Sequence, residues 1–153
     1  MDALRRIVRE LRLSAREAER AAGISGAQLF VLQSLASQSA ESLNDLAART
    51  LTDQSSVSVV VKRLVDAKLV TRKASSEDGR RVELALSPSG RRLLARCPEP
   101  TQARILEALS RVSRPELAAL TKGLTALVRE MGISDEPARM LFDDAPRARR
   151  RKG

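Results

Sequence analysis

Residues 43–87 limit the possible folds of this chain more than any other stretch. They open with Leu43-Asn-Asp-Leu-Ala-Ala-Arg-Thr50, turn through Leu51-Thr-Asp53, and continue as Gln54-Ser-Ser-Val-Ser-Val-Val-Val-Lys-Arg-Leu64. Leu43, Leu46 and Ala47 stand at i, i+3 and i+4, one face of a short helix over 43–50. Ala47 is small enough to let a second helix approach closely. Thr52 and Asp53 are candidate N-caps, and 54–68 reads as that second helix, with Val57, Val60 or Val61, Leu64 and Val65 as its buried stripe. The β-branched run over 57–61 prefers a strand in isolation. The Lys-Arg-Leu-Val-Asp-Ala-Lys continuation and the polar Ser58 inside the run favour a helix.

Residues 70–74 and 82–87 are two β-prone runs, and 82, 84 and 86 alternate as one strand face. Between them lies Ser75-Ser-Glu-Asp-Gly-Arg-Arg81, a polar turn with a glycine. Two short helices, a tight turn and a hairpin with a charged tip make a winged helix-turn-helix. The expected fold class is therefore mainly α with a small β-hairpin wing. The second helix turns Gln54, Ser55, Ser58, Val59, Lys62 and Arg63 away from its stripe. Gln and Ser can meet base edges in a DNA major groove, Val59 a thymine methyl, and Lys62 and Arg63 phosphates. On the hairpin tip Asp78 can brace Arg80, with Arg81 beside it, for entry into a narrow minor groove. The competing readings are a solvated turn with a surface ion pair, and a winged helix that holds a protein partner with no operator of its own.

In these residues the chain resembles the MarR family of transcriptional regulators. The matching segments are Gly23-Ile-Ser-Gly-Ala-Gln-Leu-Phe-Val-Leu-Gln-Ser-Leu35, Leu43-Asn-Asp-Leu-Ala47, Ser55-Ser-Val-Ser58 with Lys62-Arg-Leu-Val-Asp-Ala-Lys-Leu-Val-Thr-Arg72, Asp78-Gly-Arg80, and Leu86-Ser-Pro-Ser-Gly90. The resemblance implies a homodimer that represses, less often activates, promoters with near-palindromic sites. In many members a small-molecule effector or cysteine oxidation releases the DNA. It also places Ser55, Ser56, Ser58 and Lys62 on the family's recognition helix, and Asp78 and Arg80 on its wing tip. The chain departs from the pattern at Lys68, where glycine is usual, at Ser87, where threonine is usual, and at Pro98 and Pro100, which interrupt a helix often continuous in relatives.

Composition excludes several other classes. The chain of 153 residues holds no histidine and one cysteine, which removes histidine-based catalysis and histidine or multi-cysteine metal sites. No glycine-rich phosphate loop occurs. No enzymatic activity, cofactor or metal is expected. With no Tyr or Trp, the chain has little to stack on unpaired bases, so double-stranded DNA is the expected nucleic acid. The net charge of +9 suits that partner, but Arg147, Arg149, Arg150, Arg151 and Lys152 supply five of those charges, and removing them leaves +4. The DNA reading therefore rests on the motif. No apolar run is long enough for a membrane span, and the amphipathic start lacks a secretory core, so the expected location is cytoplasmic with no membrane partner.

Helices flank the motif on both sides. Leu4, Ile7, Val8 and Leu11 recur at helical spacing over 2–22, with arginines and glutamates on the wet side. Ser25 is a candidate cap for a buried helix over 27–37 carrying Leu29, Phe30, Leu32 and Leu35, and 38–42 reads as a loop. After the wing, Ser87 and Pro88 open a helix that reaches Cys97; Pro98 and Pro100 break it, and Thr101 caps its resumption to Val112. Ser113-Arg-Pro-Glu116 is a capping box, and the helix it opens carries Leu117, Leu120, Leu124, Leu127 and Met131 in a heptad seam. Leu4, Ile7, Leu11 and the leucines at 117, 120, 124 and 127 are the expected dimerisation surface; packing within one core is the alternative. The expected organisation is a helical dimerisation region over 1–22 and 88–132, a DNA-binding lobe over 23–87, and a basic, disordered or partly docked tail over 133–153. Cys97 also invites an oxidation-sensor reading, which needs a lowered thiol pKa and solvent access.

Overall fold

The computed structural model describes residues 1–74, 82–97, 99–135 and 140–141. Helix α1 (Asp2–Ala22) ends at Gly23, which takes φ 66° and donates its N–H to Glu19 O at 2.8 Å. Helix α2 (Gly26–Ser37) starts in a full capping box. Ser25 Oγ accepts from Gln28 N at 3.2 Å, and Gln28 Oε1 accepts from Ser25 N at 2.9 Å. Leu29, Phe30, Val31, Leu32 and Leu35 are all buried, so α2 is the centre around which the other elements pack. Helix α3 (Leu43–Thr50) is capped by Ser42 and α4 (Gln54–Asp66) by Asp53.

The valine-rich run of α4 is helical for a reason of magnitude. Val57, Val60, Val61 and Leu64 fall on one stripe and are all but removed from solvent. Burying each stabilises by about 1.5–3 kcal/mol. The helix-propensity deficit of a valine is at most about 0.7 kcal/mol.

Strands β1 (Val70–Ala74) and β2 (Val82–Leu86) pair antiparallel, Val70 opposite Leu86 and Ala74 opposite Val82. The sheet has a further partner that sequence reasoning took for a loop. Ala40 bridges Leu84, with Ala40 N–H donating to Leu84 O at 2.8 Å and Leu84 N–H to Ala40 O at 2.7 Å. The segment before α3 thereby ties the wing's second strand to the helix-turn-helix.

Helix α5 (Pro88–Leu94) is capped by Ser87 and is shorter than the expected helix to Cys97. Helix α6 (Thr101–Arg111) corrects the expected cap. Thr101 is its first helical residue, not the cap, and is buried. Its N–H donates to Ser14 Oγ of α1 at 3.1 Å, so α1 caps α6 from 87 positions away. Helix α7 (Arg114–Glu130) has the expected box between Ser113 and Glu116 and stops before Gly132, φ 70°. Beyond α7, Met140 is buried in the core, and the carbonyl of Leu141 accepts from Gln102 Nε2 at 3.0 Å.

The core gathers α2, α3, α4 and the sheet, with Ala18 of α1 and Leu93 and Leu94 of α5 against it. This is a winged helix-turn-helix with helical extensions on both sides.

Candidate nucleic-acid interface

Helix α4 presents its polar face because its apolar face is occupied. Gln54, Ser55, Val59 and Lys62 are exposed and Ser58 is half-buried. Val59 stands 46% exposed between neighbours on the stripe that are fully buried. Ser55, Val59 and Lys62 lie at i, i+4 and i+7, in one line along the helix. Arg63 is half-buried and engaged in an interaction.

Ser56 is the exception among the expected residues. It lies on the buried side, where its N–H donates to Asp53 Oδ1 at 2.9 Å and its hydroxyl to Asp53 Oδ2 at 2.7 Å. A base contact by Ser56 is therefore not supported; it locks the first turn of α4. Ser55 also donates its hydroxyl to Asp53 Oδ1. The bond from Ser55, then those from Ser56, hold the Asp53 carboxyl far below the usual carboxylate range. One carboxylate thus organises both serines at the helix start.

The other end of α4 is equally fixed. The helix stops in a Schellman turn, with Lys68 N–H donating to Val65 O and Leu69 N–H to Leu64 O, each at 2.9 Å. Lys68 takes φ 59°, so the position keeps a glycine-like backbone without glycine. The buried Ser87 hydroxyl donates to Lys68 O at 2.7 Å and accepts from Gly90 N at 2.9 Å. Ser87 N–H donates to Leu69 O at 3.0 Å. A Cβ on Gly90 would lie 2.1 Å from that same Leu69 oxygen, so only glycine fits there.

A clamp that sequence reasoning missed steadies α3. Arg49 donates to Asp45 through both Nε and Nη2, and also to the carbonyls of Gln38 at 2.9 Å and Ser39 at 2.7 Å. This arginine holds Asp45 below the usual carboxylate range. The i, i+4 spacing of the pair is readable in the sequence; the two carbonyls are not.

The expected wing residues Asp78, Arg80 and Arg81 lie outside the described residues. The apolar side of α7 faces solvent. Leu117, Leu120, Leu124, Leu127, Val128 and Met131 are 37–61% exposed, and no residue of α7 is buried. Leu4 and Ile7 are exposed too, whereas Leu11 is already covered within the chain. Packing of the seam into the chain's own core is thereby excluded. Burial raises the Cys97 thiol pKa, and the thiol donates to Leu93 O at 3.4 Å, the opposite of an activated sensor. No group of potential metal ligands and no membrane-spanning helix occurs among the described residues.

The winged lobe with a polar recognition face defines a transcription factor of the winged-helix class. A MarR family model matches residues 22–81, within which both helix-turn-helix helices fall. A probable transcriptional regulator from Pseudomonas aeruginosa is 30% identical, with a TM-score of 0.55 over 82% of this chain and 93% of that one. BpsR of Bordetella bronchiseptica, whose DNA binding is regulated by 6-hydroxynicotinic acid, is 26% identical, with a TM-score of 0.56 over 88% and 93%. The transcriptional regulator BldR of Sulfolobus solfataricus, 24% identical with a TM-score of 0.57 over 85% and 92%, shares the fold. No curated protein matches the sequence. The chain belongs to the MarR family of transcriptional regulators.

Proposed function

We propose that the protein is a cytoplasmic homodimer that represses transcription from a near-palindromic operator and responds to a small-molecule effector. The observation that carries this reading is the division of α4. Its apolar stripe is consumed by the core, and Gln54, Ser55, Val59 and Lys62 form a continuous outward line, on a helix fixed at both ends. Ser58 and Arg63 flank that line. Each protomer would lay this line in a major groove, and Asp78, Arg80 and Arg81 would reach the adjoining minor groove. The uncovered leucines of α7 support a second copy as partner: from Leu117 to Leu127 they run about 15 Å at helical rise. Leu4 and Ile7, exposed on α1, would add to the contact, and the two protomers would span half-sites about one helical turn apart. The likeness to BpsR supports an effector response.

The test is fluorescence anisotropy at ~150 mM salt with DNA from upstream of the protein's own gene, against a scrambled duplex. Preference for the former by about 100-fold or more is expected. Lys62→Ala should weaken binding to both duplexes and lower the salt slope by roughly one. Equal, salt-labile binding to both duplexes would reject operator recognition.

A further inference from the structure

Ser55 stands beside Gln54 at the start of α4's outward line, and its hydroxyl proton is already committed. It points at Asp53 Oδ1, on the N-cap carboxylate that also takes the Ser56 N–H and hydroxyl. A free serine hydroxyl donates or accepts and so reads bases indifferently. A bond to a carboxylate is charge-assisted and about twice as strong as a neutral one. Turning the proton towards a base would give up that bond. Asp53 Oδ1 would then keep only the Ser56 N–H. Ser55 is exposed, and its oxygen can still accept a hydrogen bond.

We propose that Asp53 makes Ser55 an acceptor-only reader, so that the start of the recognition helix selects an exocyclic amino group, adenine N6 or cytosine N4, over the keto oxygens of guanine and thymine. The inference rests on the DNA-binding reading above and adds to it a specificity-determining pair. Ser55 makes the base contact and Asp53 is a positioning residue acting through it. The low pKa of Asp53 agrees, because the carboxylate stays ionised at every pH of interest. Val59, one turn further along the same line, places a methyl-seeking group beside the amino-seeking one.

In-vitro selection of bound duplexes from a random library, with the full chain, tests this directly. The wild type should enrich one position per half-site for A or C over G or T, by about three- to tenfold, the worth of one hydrogen bond. Ser55→Ala should flatten that position and leave the others unchanged. Ser55→Thr keeps the hydroxyl and should keep the preference. Asp53→Ser keeps an N-cap but frees the Ser55 proton, and should turn the A-or-C preference into indifference while thermal unfolding still shows a folded chain. A motif in which the Ser55-dependent position selects G or T would overturn the proposal, and so would a motif unaltered by Ser55→Ala. A library with no enriched motif at all would overturn the operator reading itself, and this inference with it.

Discussion

Lys68 offers a direct check on the backbone of the recognition helix. It sits at φ 59° in the turn that ends α4, with its side chain exposed. An L-residue in this conformation costs about 1–2 kcal/mol, because Cβ crowds the carbonyl. Glycine removes that cost but loses more chain entropy on folding, about 0.5–1 kcal/mol. The difference favours glycine, so Lys68→Gly should stabilise the fold by about 0.5–1 kcal/mol. In a chain of this size that raises Tm by a few degrees, at about 2–4 °C per kcal/mol. The neighbouring Ala67 has φ −77°, where glycine brings only the entropy loss, so Ala67→Gly should destabilise by about the same amount. Urea unfolding at a fixed protomer concentration separates the two, since any dimer makes stability concentration-dependent. A midpoint lowered by Lys68→Gly, or the same change at both positions, would refute the strain argument. It would mean that the lysine side chain contributes more than its backbone costs.

Other expectations follow from the same geometry. Ser87→Ala strips a cap from α5 and a donor from the Lys68 carbonyl, and should cost about 1–3 kcal/mol in urea unfolding, whereas Ser87→Thr should stay within about 1 kcal/mol. Leu120→Gln with Leu124→Gln should weaken self-association at least about tenfold in sedimentation equilibrium; an unchanged dissociation constant would remove α7 from the contact. For Asp45 the folded pKa is depressed, so its stabilisation is present above the unfolded value near ~3.9 and is lost as pH falls through the folded value. The stability gap between wild type and Asp45→Asn should therefore close on acidification from pH ~5 to ~2, and a gap constant across that range would deny the Arg49 clamp its role.

Much of the architecture was legible because its signals are local. Ser25, Ser42, Asp53 and Ser113 cap helices where a short polar side chain precedes an apolar periodicity. The buried leucines of α2 follow from the apolar run over 27–35. What could not be read joins distant positions: the Ala40–Leu84 bridge, the capping of α6 by Ser14, and the return of Met140 to the core. No periodicity encodes such pairs. The buried placement of Ser56 was legible. Adjacent serines are chemically alike but 100° apart on a helix, and Ser56 stands one residue before Val57 and four before Val60, on the buried stripe. Leu11 shows the converse limit, because apolar spacing gives a face but not its partner. The exposure of the α7 leucines carries more weight than their heptad pattern, which fits a core helix equally well.

The departure at Lys68 and the Leu86-Ser-Pro-Ser-Gly90 segment belong to one structural joint. The Lys68 carbonyl receives the Ser87 hydroxyl, and the Leu69 carbonyl receives the Ser87 N–H. Gly90 lies so close to that second carbonyl that no side chain is tolerated. The exit of the recognition helix, the end of the wing and the start of α5 therefore meet at two hydrogen bonds and one close backbone approach. Any movement of α5 must carry α4 with it or break buried polar bonds, at about 1–3 kcal/mol for each group left unpaired. The backbone that glycine would relax at position 68 is part of this joint. The strain there is thus held by partners on both sides, as expected of an unfavourable conformation that persists in a folded chain.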